Sequence, residues 1–310
     1  MHVRTARLLT ALTAVLTVTT ACGSGQAGPA PGTGAQGGRT DITAAMYPLQ
    51  WLAERIGGPD AAVTALTKPG VEPHDLELSP IQIAGIERTG LVVYVKGVQP
   101  AVDEAVEQHA ADRGFDAAAL VKTLPPSADG EEGEAESHDV SYDPHVWLDP
   151  TRMATIATKL GDRLAEADPA HAKDYRDRAA ATVADLTTLD GEMSRGLSTC
   201  SSRAIVTSHA AFGYLADRYR LRQIGITGID PEAEPSPARL AEVAKVAKQE
   251  KVTTIFSETL VSPKVAEVLS REIGARTAVL DPVESQPANG DYLSAMRQNL
   301  SALKTALGCS

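Results

Sequence analysis

Two series of short apolar segments alternate with longer amphipathic segments along most of the chain. The β-branched run at 91–95 has the composition of a buried parallel strand, whereas the segment that begins at Pro237 repeats apolar residues at helical spacing. The first series predicts strands at 41–47, 62–66, 91–95 and 118–121 and helices at 48–55, 80–88 and 101–110. The second series predicts strands at 204–207, 253–256 and 277–280 and helices at 212–219, 237–250, 263–273 and 292–307.

A long amphipathic segment lies between the two series. Residues 169–196 are rich in helix formers, and apolar or small side chains recur three and four positions apart from Tyr175 to Leu189. A helix of about 28 residues is roughly 40 Å long, which is enough to cross the whole molecule. The simplest arrangement is therefore an α/β fold with two lobes joined by one long helix.

The N-terminal residues have the order of a secretory signal. Arg4 and Arg7 precede an uncharged apolar run at 8–18, and small residues follow up to Cys22. The run is shorter than the roughly 20 residues that a membrane-spanning helix needs. Ala21, Cys22 and the glycine after them resemble the lipobox of bacterial lipoproteins, in which the cysteine carries the lipid.

One position departs from that lipobox pattern, because Thr19 stands where it prefers leucine. An ordinary cleaved signal with a chance cysteine nearby is the alternative. We expect a signal peptide at 1–21, a flexible Gly- and Pro-rich tether at 22–40, and a lipid on Cys22 that holds the protein on the extracytoplasmic face of the cell membrane.

Length and composition indicate two globular domains. The chain has 310 residues, of which 43% are hydrophobic, and a domain usually takes about 100–200 residues. We place an N-terminal lobe at 41–166, the linking helix at 167–197 and a C-terminal lobe at 198–310. An acidic stretch at 125–143 cannot form a core and is expected to be a surface loop.

Charge excludes one class of partner. The chain carries 29 Lys and Arg against 40 Asp and Glu, a net charge of −11, which repels a phosphate backbone. We therefore expect no nucleic-acid partner.

The acidic loop and its His138 either concentrate cations weakly or form a solvated linker, and the linker is the simpler interpretation.

Two cysteines remain after the proposed lipid site. An even pair in an oxidising compartment more often forms a bridge than stays free. We expect Cys200 and Cys309 to form a disulfide bond.

Candidate metal-binding residues lie beside the predicted strand–helix junctions. His74, His145 and His209 lie in turn-rich or polar segments, and Asp281 follows the predicted strand at 277–280. Ligands of open α/β sheets bind outside the carboxyl ends of the strands, so these four side chains can converge between the lobes. Three imidazoles and one carboxylate suit Zn²⁺ in a tetrahedral site, whereas Mg²⁺ and Ca²⁺ prefer oxygen ligands.

Four segments resemble, in chain order, the signatures of the zinc- and manganese-binding lipoproteins that serve bacterial ABC importers. They are Pro-Gly-Val-Glu-Pro-His-Asp-Leu-Glu-Leu-Ser-Pro (69–80), Asp-Pro-His-Val-Trp-Leu-Asp-Pro (143–150), Ser-His-Ala-Ala-Phe-Gly-Tyr-Leu (208–215) and Ser-Glu-Thr-Leu-Val-Ser-Pro-Lys (257–264). The resemblance covers about residues 41–308 and is nearest to the zinc-uptake binding proteins.

This resemblance implies a solute-binding protein with two mostly parallel sheets flanked by helices and one metal ion in the cleft between the lobes. It implies His74, His145, His209 and Asp281 as metal ligands and an ABC permease as the partner. Manganese members of the family tend to place glutamate where His209 stands, so the third imidazole favours Zn²⁺. We expect a monomer that transports zinc and has no enzymatic activity.

Several positions allow another interpretation. Asp281 can instead be a helix N-cap, in which case a water or Glu72 completes the coordination. Glu258 either orients an imidazole or forms a salt bridge between the lobes, and Trp147 is expected to pack beneath the helix that follows it.

Two other classes of protein compete with the transport hypothesis. A zinc hydrolase would keep an open coordination position for water, but the His-Glu-x-x-His helix motif does not occur in the sequence. A metal-stapled adhesin is the other class, and it would lose its fold on chelation.

Overall fold

A computed structural model describes residues 39–126 and 141–310. The predicted signal peptide, Cys22, nearly all of the tether and most of the acidic loop, including His138, lie outside the described residues. In these two ranges no helix has both the length and the apolar character needed to cross a membrane.

The first half of the described chain builds a four-stranded parallel sheet. Its spatial order is second, first, third and fourth strand, and Ile42 lies opposite both Val63 and Leu91. The strands are β1 (Thr40–Ala44), β2 (Ala61–Ala65), β3 (Leu91–Tyr94) and β4 (Gly114–Asp116), and the helices beside them are α1 (Tyr47–Gly57), α2 (Pro80–Arg88) and α3 (Pro100–His109). All four carboxyl ends therefore lie at one edge of the sheet.

The second half repeats this topology. Its four parallel strands again have the spatial order second, first, third and fourth. The strands are β5 (Ala204–Thr207), β6 (Arg222–Gly225), β7 (Thr254–Ser257) and β8 (Arg276–Val279), and the helices are α6 (Gly213–Tyr219), α7 (Pro237–Gln249), α8 (Lys264–Ile273) and, at the end of the chain, α9 (Tyr292–Leu307). The predicted two-lobed α/β fold is confirmed.

Two long helices connect the sheets. They are α4 (Pro150–Ala167) and α5 (Ala172–Gly196), which pack along each other. A Cβ atom on Gly161 would lie 2.6 Å from the Cβ of Ala179, so this close approach requires glycine. The predicted linking helix is present, although the chain forms a separate 3-10 turn at Pro169–His171 before α5 begins.

Two edge strands differ from the sequence-based prediction. The strand predicted at 118–121 is wrong, because β4 lies at Gly114–Asp116 and Ala118–Leu120 forms a 3-10 turn. Strand β6 was not predicted at all. Strands β4 (Gly-Phe-Asp) and β6 (Arg-Gln-Ile-Gly) each contain a single large apolar residue, so neither has an apolar pattern that can be recognised.

A disulfide bond joins Cys200 to Cys309, as predicted. Two backbone hydrogen bonds also join the segments, from the Ser201 N–H to the Gly308 carbonyl and from the Ser202 N–H to the Leu307 carbonyl. The bond thus fastens the end of α9 to the residues that precede β5.

Replacing both cysteines by serine should lower the free energy of unfolding. The disulfide spans a sequence separation of 109, and closure of a loop of about 100 residues contributes up to roughly 4.7 kcal/mol in the chain-entropy model. We expect the Cys200→Ser/Cys309→Ser variant to unfold at a lower urea concentration than the oxidised wild type. The reduced wild type should have the same urea midpoint as the variant. Equal midpoints for the variant and the oxidised wild type would contradict this role.

Candidate metal centre

Four side chains from four separate loops meet between the two sheets. His74 lies between β2 and α2, and His145 lies between β4 and α4. His209 follows β5 by two residues, and Glu284 follows β8 by five. Because every loop leaves the carboxyl end of a parallel strand, the two sheets present these side chains to one another.

The donor atoms of these four residues surround one point. The Nε2 atoms of His74, His145 and His209 lie 3.5, 3.6 and 3.8 Å from Oε1 of Glu284. The Nε2 atoms of His145 and His209 are 3.4 Å apart, and all four ligand atoms lie within 4.8 Å of one another. A tetrahedral zinc ion with bonds of about 2.0–2.1 Å needs donors roughly 3.3–3.4 Å apart. The four individual separations of 3.4–3.8 Å are close to that requirement.

The group is closed to solvent. His145 and His209 are 0% exposed, Glu284 is 1% exposed and His74 is 7% exposed. Oε1 of Glu284 and both ring nitrogens of His74 lack a hydrogen-bond partner among the described residues. Burying such polar atoms without a partner is costly. A divalent cation at this point would satisfy Oε1 and the inward-facing Nε2 of His74.

Buried carboxylates fix the orientation of two of the imidazoles. Oδ1 of Asp143 lies 2.7 Å from Nδ1 of His145 and accepts the His145 backbone N–H at 2.9 Å. Oε2 of Glu258 lies 2.6 Å from Nδ1 of His209, and its Oε1 accepts the His209 backbone N–H at 3.0 Å. A proton held on Nδ1 leaves Nε2 as the atom that can bind a metal. Glu258 therefore orients an imidazole, which was one of its two predicted roles.

The loop that carries His74 resembles the loop that carries His145. Glu72 and Asp143 each precede their histidine by two residues, with a proline between, and Oε1 of Glu72 accepts the His74 backbone N–H at 3.1 Å. The same acid-Pro-His sequence thus brings a carboxylate beside two of the three histidines.

Burial and neighbouring charges shift the pKa values of these groups. Burial, and then the charge of Glu284, raises the pKa of Glu72 to about 7. Burial opposes ionisation of Glu284 as well, but the imidazoles of His74 and His209 outweigh it and hold the pKa of this carboxyl below its usual range. Glu284 thus supplies negative charge within the group, which favours a cation.

His209 has a raised pKa. Burial opposes its positive charge, but the carboxylate of Glu258 outweighs this effect and raises the pKa of His209 to about 9. A metal ion that binds Nε2 must therefore displace a proton from this imidazole at neutral pH.

The prediction for Asp281 needs a correction, because Glu284 is the carboxylate that joins the three histidines. Oδ1 of Asp281 accepts the Val283 N–H at 2.8 Å, so this side chain caps a turn rather than a helix. This turn follows β8 and places Glu284 beside the three histidines. The second carboxylate of the Asp-Pro-Val-Glu sequence at 281–284 was the available signal for this residue.

Sequence comparison identifies relatives along most of the chain. Residues 42–306 match the family model described as "Zinc-uptake complex component A periplasmic". The zinc-binding lipoprotein AdcA of Streptococcus pneumoniae is 34% identical over 285 residues, which cover 86% of this chain and 56% of AdcA. The chain thus spans just over half the length of that relative. The high-affinity zinc uptake system protein ZnuA of Bacillus subtilis is 32% identical, with 88% of this chain and 89% of ZnuA covered.

Solved structures agree with these matches. A crystal structure of ZnuA superposes with a TM-score of 0.76 at 29% identity, over 87% of this chain and 99% of that one. The structure of Zn(II)-bound AdcA from Streptococcus pneumoniae gives a TM-score of 0.73 at 33% identity, over 87% of this chain and 58% of that one. Fold, sequence and the buried histidine and glutamate group agree, and the chain belongs to the family of periplasmic zinc-uptake component A proteins.

Proposed function

We propose that this protein is the extracytoplasmic solute-binding component of an ABC importer, which binds one Zn²⁺ ion and delivers it to the membrane permease. His74, His145, His209 and Glu284 are the proposed ligands. The observation that carries the proposal is the convergence of three Nε2 atoms on one buried carboxylate oxygen at 3.5, 3.6 and 3.8 Å.

The chemistry of the donors favours zinc as the cargo. Three imidazoles and one carboxylate form a mixed nitrogen and oxygen site of the kind that zinc accepts, whereas manganese is better served by oxygen donors. Two relatives are named for zinc, the zinc-binding lipoprotein AdcA and the zinc uptake protein ZnuA. Four protein donors also leave no coordination position for an activated water, so the proposal includes no hydrolysis.

The division of the ligands between the lobes supports a transport role. His74 and His145 belong to the first lobe, and His209 and Glu284 belong to the second. A small relative movement of the lobes can therefore separate the ligands and loosen the metal on docking to the permease. A single apolar core contains residues of both lobes, including Trp51, Val93, Phe212 and Phe256, which favours small movements over wide opening.

The N-terminal features complete the proposal. A lipid on Cys22 and a tether at 22–40 would keep a monomeric binding protein close to its permease. The name of AdcA, a zinc-binding lipoprotein, supports this part of the proposal.

Metal analysis tests the proposed ligands. Wild-type protein should bind one equivalent of Zn²⁺ per chain, whereas His209→Ala and Glu284→Ala should bind more than roughly 100-fold more weakly, since even an outer partner of a metal ligand usually contributes about 10–100-fold. His109→Ala is the matched control, because this ring contacts Glu87 on the surface of the first lobe. One equivalent retained by His209→Ala at unchanged affinity would contradict the site.

Zinc affinity should depend on pH. The pKa of His209 is about 9 before metal binds, so below that pH the ion displaces a proton and affinity should fall roughly tenfold per pH unit for each proton released. Loss should continue toward about pH 6, where unperturbed imidazoles also begin to protonate. Calorimetry in buffers of different ionisation enthalpy should detect proton release at pH 7. A pH-independent affinity between pH 6 and 8 would rule out this coupling.

A glycine beside Asp143 provides a further test. A Cβ atom on Gly213 would lie 2.4 Å from Oδ2 of Asp143, so Gly213→Ala should displace the carboxylate that orients His145. We expect zinc affinity to fall about 10-fold or more, the effect of losing an outer partner. Gly85→Ala in α2 is the control, because its Cβ would contact nothing within 4 Å. It should leave zinc affinity unchanged, and equal affinities for both variants would show that Asp143 has no orienting role.

A further inference from the structure

The turn at 281–284 has an unusual backbone. Val283 has a φ of 59°, in the left-handed region, and its side chain is 0% exposed. A β-branched residue rarely adopts this conformation, which persists only where the surrounding structure enforces it. Glu284 is the next residue, so whatever holds this turn also determines where the carboxylate lies.

Contacts within the second lobe hold one side of the turn. Oδ1 of Asp281 accepts the Val283 N–H at 2.8 Å. The amide of Asn299 in α9 accepts the Asp281 N–H at 2.9 Å and donates to the Asp281 carbonyl at 2.6 Å. The start of the turn is therefore fastened to the last helix.

A contact from the first lobe holds the other side. The indole N–H of Trp147 donates to the Pro282 carbonyl at 2.7 Å across a sequence separation of 135. Trp147 is fully buried, and its ring centroid lies 5.1 Å from that of His145, two residues earlier. Trp147 thus contacts both His145 and the turn that bears the Glu284 carboxylate.

We propose that Trp147 and Asp281 are positioning residues for Glu284, an inference that rests on the proposed zinc function. The indole N–H and the Asp281 carboxylate hold the strained turn so that the Glu284 carboxylate stays among the three imidazoles. Because Trp147 belongs to the first lobe, it couples the position of a second-lobe ligand to that of His145. Trp147 is thus more than the packing residue that its sequence context predicts.

A double-mutant cycle tests this coupling. Trp147→Phe keeps an aromatic ring against His145 but removes the indole donor. Measured by competition with a zinc chelator, it should weaken Zn²⁺ binding about 10-fold in the wild-type background, as an outer partner does. In the Glu284→Gln background, where the carboxylate charge is already lost, the same change should cost less than about 3-fold, because positioning effects are not additive with loss of the positioned group.

Trp51→Phe is the matched control. Its indole N–H also donates to a residue near the C-terminal end of the chain, Asp291, at 3.2 Å, and its ring is 5% exposed. This variant removes the same group from a similarly buried site, where the acceptor Asp291 lies outside the turn at 281–284. It should lower thermal stability but leave zinc affinity within about 3-fold of the wild type, unlike Trp147→Phe.

Two substitutions at Asp281 separate positioning from ligation. Asp281→Asn keeps a side-chain oxygen for the Val283 N–H and should retain wild-type affinity within about 3-fold, whereas Asp281→Ala should lose about 10-fold. If Asp281 were itself a ligand, Asp281→Asn would lose about as much as Glu284→Gln. The asparagine variant also tests the inference if Trp147→Phe fails to fold.

The possible outcomes distinguish this inference from the proposed function. Equal losses for Trp147→Phe in the wild-type and Glu284→Gln backgrounds, or no rescue by Asp281→Asn, would overturn the positioning role while zinc binding by the wild type stands. A wild type that binds no Zn²⁺ would instead overturn the proposed function.

Discussion

The structure depends on one constraint, the burial of four metal-binding groups from distant parts of the chain around a single point. Unpartnered imidazole and carboxylate atoms are costly in a closed interior. The surrounding residues reduce that cost on the outer side, where Asp143 and Glu258 pair with Nδ1 atoms and leave Nε2 atoms facing inward. The inner side remains suited to a cation. A cation at this point would reduce the cost that remains.

The repeated topology of the two sheets explains how such a site can form. Each sheet has the strand order second, first, third and fourth, and all of its strands are parallel. Carboxyl ends therefore collect at one edge in each lobe, and the two edges face each other across the metal group. In chain order, helices α4 and α5 lie between the two sheets, and they pack against each other. One apolar core includes residues from both lobes. This continuity limits how far the lobes can move apart.

Much of the fold follows from patterns that are local in sequence. The helices at 80–88 and 292–307 were predicted with the correct bounds, and in the structure each begins with a reciprocal capping box, at Ser79 and at Asp291. The six strands that were predicted each carry at least two apolar residues. Edge strands β4 and β6 were missed because each contains a single large apolar residue.

The site was partly predictable because some of its residues also lie in local sequence patterns. The three histidines occur in distinctive segments beside strand ends, and the structure brings them together. Glu284 was missed because its position depends on a left-handed backbone at Val283, a conformation that sequence patterns associate with glycine or asparagine. Asp281, nearest the end of the predicted strand, was therefore chosen in its place. The contacts that enforce the turn come from Trp147 and Asn299, which no local pattern connects to it.

X-ray absorption at the zinc edge, on protein loaded with one equivalent of Zn²⁺, tests the central claim most directly. The account predicts four light-atom donors at about 2.0–2.1 Å, with multiple scattering from three imidazole rings and the remaining donor an oxygen. A spectrum with two or fewer imidazoles, or with six oxygen donors, would contradict it.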